Sequence, residues 1–161
     1  MRGLALFLGG LLVGVAVHTG IAQGQGEKVL GVNHVGINVA DFDAAMKFYT
    51  EQMGFKKAFV VNDKDGKPTQ GYIHVSRNTF LEIRPAAAGQ PVGQITHVGI
   101  EVENINGVID RLRKAGVKVE DERAGMNFAR ISNATSPDGT RMELSELVPE
   151  SLQRKSINSY K

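Results

Sequence analysis

Two histidines and two glutamates recur at matching places in the two halves of this chain. His34 sits in Asn33-His34-Val35-Gly36-Ile37-Asn38-Val39, and His97 in its near-copy Thr96-His97-Val98-Gly99-Ile100-Glu101-Val102, 63 positions further on. Glu82 is flanked by Leu81 and Ile83, and Glu143 by Met142 and Leu144, 61 positions apart. Self-similarity at a fixed period marks a duplicated structural unit. Imidazoles and carboxylates can ligate a divalent cation, and both can carry a proton. A single histidine on a strand is most often only hydrogen-bonded. Four donors at repeat-equivalent places favour a shared site.

The elements that must position these groups are legible. Val32 to Val39 alternates as a strand. Asp41 can cap a helix with the apolar stripe Phe42, Ala45, Met46, Tyr49 and Met53, stopped by Gly54. Strands are expected over Phe55–Val61, Gln70–Arg77 and Thr79–Arg84, with the loop from Asn62 to Pro68 joining the first two. The second copy repeats this plan. A strand spans Ile95–Val102, a helix capped by Asn104 ends before Gly116, and strands follow near Val117–Glu120, Met126–Asn133 and Arg141–Leu147. Ser136-Pro137-Asp138-Gly139 is a turn into the last of them. Each half is thus β-α-β-β-β, an α+β arrangement with helices on one sheet face.

Side chains two apart on a strand share a face. That places His34 with Gly36 and Asn38, Glu82 with Phe80 and Arg84, His97 with Gly99 and Glu101, and Glu143 with Arg141 and Ser145. The opposite faces are apolar and suit the helix stripes. The polar faces form a cup, which Tyr72, His74, Ser76, Phe128, Arg130 and Ser132 are also expected to line. Arg84, Arg130 and Arg141 could bind an anionic substrate or merely neutralise carboxylates. Tyr72 and Phe128 could contact substrate or only pack. The glycine two places after each histidine could leave room for substrate or serve close sheet packing.

Bulk properties narrow the function. A net charge of +2, without a dense basic stripe, argues against nucleic acid as a partner. The absence of cysteine excludes disulfides, thiolate ligands and a cysteine nucleophile. Residues 1–22 read as a secretory signal: Met1-Arg2, an apolar run from Gly3 to Val17, and Gly20-Ile21-Ala22 before the cleavage point. The run is shorter than the roughly 20 residues needed to span a bilayer. No stable membrane anchor is therefore expected, and the mature chain would be periplasmic or secreted. The expected organisation is a flexible entry segment over 23–29, one domain over 30–147 and a tail over 148–161 that forms a short, basic, loosely held helix from Pro149. The domain divides into module one (30–85), a linker (86–94) and module two (95–147).

With these pieces in place, residues 30–147 resemble the vicinal oxygen chelate superfamily of glyoxalases, bleomycin-resistance proteins and dioxygenases. The likeness rests on His34, the Phe48-Tyr49 run ending in Met53-Gly54-Phe55, and Glu82 in one half. In the other it rests on His97 and the Ser136–Gly139 turn leading to Glu143. The resemblance implies two βαβββ modules with helices outside a cup-shaped, partly open mixed β-sheet barrel. It implies one divalent metal held by His34, Glu82, His97 and Glu143, with the modules pairing within a chain or across a homodimer. The His/Glu/His/Glu set is most similar to glyoxalase I. Glutathione-using relatives carry an arginine four residues after the first histidine, where this chain has Asn38.

A nitrogen and oxygen donor set of this kind suits Zn, Ni, Co, Mn or Fe. Four protein donors on an octahedral ion leave two adjacent positions, enough for two vicinal oxygens of a small-molecule substrate. The expected activity is a glyoxalase-like lyase or isomerase that stabilises an enediolate or enolate and shuttles a proton alpha to a carbonyl. Glu143 and Glu82 are the expected catalytic groups. Asn38, Tyr72, His74, Arg84, Phe128 and Arg130 are the expected substrate contacts. An extradiol-type dioxygenase and a non-catalytic small-molecule or metal-binding protein are the alternatives.

Overall fold

A computed structural model describes residues 27–161 of the chain. The expected signal sequence and cleavage site lie outside the described residues. Eight strands form one mixed sheet in the order β2-β3-β4-β1-β5-β8-β7-β6. They are β1 (Val29–Val39), β2 (Lys56–Asn62), β3 (Pro68–Ser76), β4 (Thr79–Pro85), β5 (Ile95–Val102), β6 (Arg123–Ala124), β7 (Arg130–Thr135) and β8 (Arg141–Glu146). Among the described residues three helices accompany them: α1 (Phe42–Lys47), which runs on into a π turn at Phe48–Gln52, α2 (Ile105–Lys114) and α3 (Leu152–Ser159). The sheet curls into a half-barrel, the α+β architecture expected.

The two halves meet within one chain. β1 pairs antiparallel with β5 at the centre, while β1–β4 and β5–β8 are parallel, which repeats the same local pattern on either side. Both expected helix starts form. Asp41 Oδ1 accepts from the Ala44 amide at 2.9 Å, and Asn104 Oδ1 from the Gly107 amide at 3.2 Å. Gly54 and Gly116 follow their helices with φ of 73° and 77°, values that cost other residues strain. The π turn widens the end of α1, and Met53 faces solvent instead of completing the stripe.

The core has three parts. Met46, Ile73 and Ile83 pack beneath α1, and Val102, Ile105, Val108, Ile109 and Leu144 beneath α2. Tyr72, Phe80, Ala129, Ile131, Leu147 and Ile157 form the third, inside the cup under α3. This corrects the expectation of a loosely held tail. Ser151, Gln153 and Ile157 are buried, because α3 closes one end of the cup and carries a polar face into it. Module two is also less regular than expected. The strand sought at Val117–Glu120 is reduced to one bridge, Val119 to Ala134.

Candidate metal centre

The central strand pair brings the two histidines face to face. His34 lies opposite Gly99 across the β1–β5 ladder, and Gly36 opposite His97. Each imidazole occupies the space above the other strand's glycine. A Cβ built on Gly99 would sit 2.1–2.6 Å from the His34 ring, and one on Gly36 would sit 2.1–2.9 Å from the His97 ring. The glycines therefore make room for the opposing histidine, a role that neither substrate access nor generic sheet packing describes.

Three of the four expected donors, His34, His97 and Glu143, form one cluster, and Glu82 lies against its histidines. The Nε2 atoms of His34 and His97 are 3.0 Å apart. Glu82 Oε2 is 3.0 Å from His97 Nε2 and 3.6 Å from His34 Nε2, and Glu143 Oε1 is 3.5 Å from His34 Nε2. His34, His97 and Glu143 each offer a donor atom within 4.8 Å of the others, and all three are buried. Glu82 is held from behind by Gln70, whose Nε2 donates to Oε1 at 2.7 Å, with Arg84 Nη1 3.9 Å away.

The outer nitrogens decide what the inner ones can do. Thr96 Oγ1 donates to the Gly36 carbonyl at 3.1 Å, so at 2.9 Å from His97 Nδ1 it can only accept. Asn33 Oδ1 accepts from His34 Nδ1 at 2.9 Å. Both neutral rings thus carry their proton on Nδ1 and turn a lone pair inward. Two lone pairs and a carboxylate oxygen then meet with no proton among them, an arrangement only a positive charge relieves. The set fits a divalent cation by the chemistry of its donors and by the acceptors behind them.

Electrostatics separates the two carboxylates. Burial pushes Glu82 up, but His97 and His34, once either ring is protonated, and Arg84 outweigh it and pull the group below its ordinary range. Burial, followed by the negative charge of Glu82, raises Glu143. Burial also drives His34 down to about 4, against the partial support of Glu82. In the metal-free protein the unfolded chain therefore takes up the His34 proton near pH 6.5, and the folded chain only near pH 4. That part of the stability is complete above pH 6.5 and is lost as the pH falls toward 4, on the order of 3 kcal/mol in all. Glu82 adds a loss in the same direction at lower pH, while Glu143 favours the protonated, more acid side. Urea denaturation with a chelator at pH 7, 5.5 and 4 should show the midpoint falling with pH; a flat profile would contradict the burial of neutral His34.

The remaining expected residues divide. Asn38 and Arg84 line a cavity of about 620 Å³ beside the cluster, together with Lys67, Gln90, Thr96 and Arg141. Tyr72 is in the cup but buried, stacked on Phe59 with ring centroids 4.6 Å apart and edge-on to His34. His74 also points inward, yet α3 covers it: Nε2 is 2.7 Å from Ser156 Oγ, and the ring lies against Phe80 and Tyr160. Both rings pack inside the cup beneath this helix.

Phe128 and Arg130 are not in the cup. Phe128 takes a left-handed turn conformation, φ 63°, just before β7 and is exposed. The turn shifts the alternation by one residue, so Asn133 lies opposite Glu143 while Arg130 lies opposite Glu146. Arg130 is consumed by two carboxylates, Glu122 at 2.5 Å and Glu146 at 3.0 Å, on the α2 side. Ser132 turns the same way and donates to the Glu120 carbonyl. The residues overlooked are Asn33, Gln70, Thr96 and Gln153. Gln70 precedes Tyr72 by two, so the alternation that admits Tyr72 admits it too. Thr96 and Asn33 each precede a histidine.

Comparison with known proteins bears on the family and the fold. A family model described as Glyoxalase/Bleomycin resistance protein/Dioxygenase superfamily matches residues 31–144. An ethylmalonyl-CoA/methylmalonyl-CoA epimerase of Cereibacter sphaeroides is 30% identical over 97 residues, covering 55% of this chain and 72% of the relative. The structure resembles methylmalonyl-CoA epimerase from Mycobacterium tuberculosis, with 25% identity and a TM-score of 0.64 over 76% of this chain and 91% of that one. It shares its fold with a variant of Streptomyces coelicolor methylmalonyl-CoA epimerase in complex with 2-nitronate-propionyl-CoA. There the TM-score is 0.60 at 23% identity, over 74% of this chain and 98% of that one. The chain belongs to the glyoxalase/bleomycin resistance protein/dioxygenase superfamily.

Proposed function

We propose that this chain is a divalent-metal-dependent isomerase that moves a proton on the carbon beside a carbonyl of a small anionic substrate. One observation carries the reading: a carboxylate from each half closes on the same pair of imidazoles. His34, His97, Glu143 and Glu82 would hold the ion, which when bound would supply Lewis acidity to a substrate oxygen. Glu82 and Glu143 are placed to carry the proton, one receiving it from the carbon and the other returning one. Their origin in opposite modules would let a proton leave one side of a carbon and return on the other. Lys67, Arg84 and Arg141 favour a carboxylated or phosphorylated substrate in the adjoining cavity.

The printed names of the relatives favour epimerisation of an acyl thioester over glyoxalase-type isomerisation. Asn38, in place of the arginine of glutathione-using relatives, points the same way. A fourth donor at Glu82 disfavours a ring-cleaving dioxygenase, which needs three open positions. Export of the chain, proposed from residues 1–22, would call for a substrate available outside the cytoplasm.

Protein loaded in turn with Zn, Ni, Co or Mn should bind about one ion and incorporate deuterium from D2O beside a carbonyl. Methylmalonyl-CoA and the hemithioacetal of methylglyoxal with a thiol are the two first probes. Exchange on the thioester alone supports epimerisation, and on the hemithioacetal alone the glyoxalase chemistry. Oxygen consumption with a catechol, or metal binding without exchange on any carbonyl compound tried, would count against an isomerase.

A further inference from the structure

The two histidines are oriented by different means. His97 relies on its neighbour Thr96 and a backbone carbonyl of β1. His34 relies on Asn33, which a shift of register between Val32 and His34 turns toward the cup. Asn33 Oδ1 also accepts from Gln153 Nε2 of α3 at 2.5 Å, and Gln153 Oε1 accepts from Asn127 Nδ2 at 2.8 Å. Asn127 Oδ1 in turn accepts from the Ala129 amide at 3.2 Å.

A backbone N–H can only donate, so that last bond fixes the direction of every amide before it. Asn127 must offer its nitrogen to Gln153, and Gln153 its nitrogen to Asn33. Asn33 is left to present oxygen to His34. All three amides are buried, and the Asn33 nitrogen has no partner among the described residues. Leaving a buried donor unpaired costs about 1–3 kcal/mol. Such a cost is understandable where one orientation of the amide is required.

We infer that Gln153 is a positioning residue for the metal centre: through Asn33 it holds His34 in the tautomer whose Nε2 lone pair faces the other donors. α3 is thereby part of the centre, although none of its side chains reaches the donor cluster. The inference rests on the reading of His34 as a ligand only for its effect on metal affinity. Its effect on the tautomer stands apart from that reading.

The test uses the full chain labelled with 15N-histidine. Long-range 1H–15N correlation spectra of the metal-free protein above pH 7 should show both His34 and His97 protonated on Nδ1. In Gln153→Leu, His34 should become a mixture of tautomers or move its proton to Nε2, while His97 keeps its pattern and reports an intact fold. Zinc affinity by competition with a chromophoric chelator should fall by roughly 10- to 100-fold, the usual effect of losing an outer-shell partner.

A changed tautomer with no zinc binding in either protein would uphold the relay and overturn the metal reading instead. An unchanged His34 tautomer in Gln153→Leu would overturn the inference. If that variant does not fold, Asn33→Asp and Asn33→Leu take its place. Asp should keep the Nδ1 proton and the affinity, and Leu should lose both; equal behaviour would overturn the relay.

Discussion

Gly99→Ala should abolish metal retention without touching a single donor. The added Cβ would lie 2.1–2.6 Å from the ring atoms of His34. Those contacts are far inside van der Waals range, so the ring or the strand must move. His34 has little freedom to retreat: it is fully buried, bonded through Nδ1 to Asn33, and edge-on to Tyr72 with centroids 5.9 Å apart. Rotation of the ring would carry Nε2 away from His97 and both carboxylates together. Gly36→Ala should do the same to His97. Overpacking of this kind costs about 1–3 kcal/mol in stability. The effect on zinc affinity should be larger, at least roughly 100-fold, because ligand geometry is lost as a set. Elemental analysis and thermal denaturation of each variant give both numbers. One bound ion at wild-type affinity in either alanine variant would show that the rings do not sit over these glycines.

Glu143→Gln should remove turnover while leaving much of the metal binding. Glutamine matches glutamate in size and still offers an oxygen, so the cup stays filled. It can neither release nor accept a proton, and losing such a group costs about 10²- to 10⁴-fold in rate. Glu82→Gln should behave differently, because its carboxylate lies 3.0 Å from His97 Nε2 and is gripped by Gln70. There the loss of charge should weaken metal binding as well. Deuterium exchange measured beside bound metal separates the two variants. Full exchange in Glu143→Gln, or identical metal loss in both, would defeat the assignment of Glu143 as a proton carrier.

The meeting of His34, His97 and Glu143, with Glu82 against the two histidines, is legible in the sequence because strand alternation and the internal repeat report the same thing twice. Helix limits at Asp41, Gly54, Asn104 and Gly116 are legible because each uses a local signal, a capping oxygen or a positive φ. The errors fall where a non-local cause intervenes. Phe128 and Arg130 are misplaced because one left-handed residue before β7 resets the alternation. Asn33 is hidden because a break in register turns it inward, against the simple rule. Tyr72 and His74 face the way alternation says, but only the docking of α3 decides that they are covered. Nothing in the local pattern of Leu152–Ser159 announces that docking, since Gln153 and Ser156 read as ordinary polar helix residues.

The spread of the centre along the chain has a consequence for biosynthesis. His34 and His97 are separated by 63 positions and Asn33 and Gln153 by 120. A nascent chain therefore carries its first histidine for 63 further residues before the second strand of the seam arrives to meet it. The amide that settles that ring comes later still. Contacts this remote form late and slowly, since loop closure must precede them. Until residue 153 has emerged, an early-captured ion would find a flexible, half-made nest, and tight loading is reserved for the finished molecule.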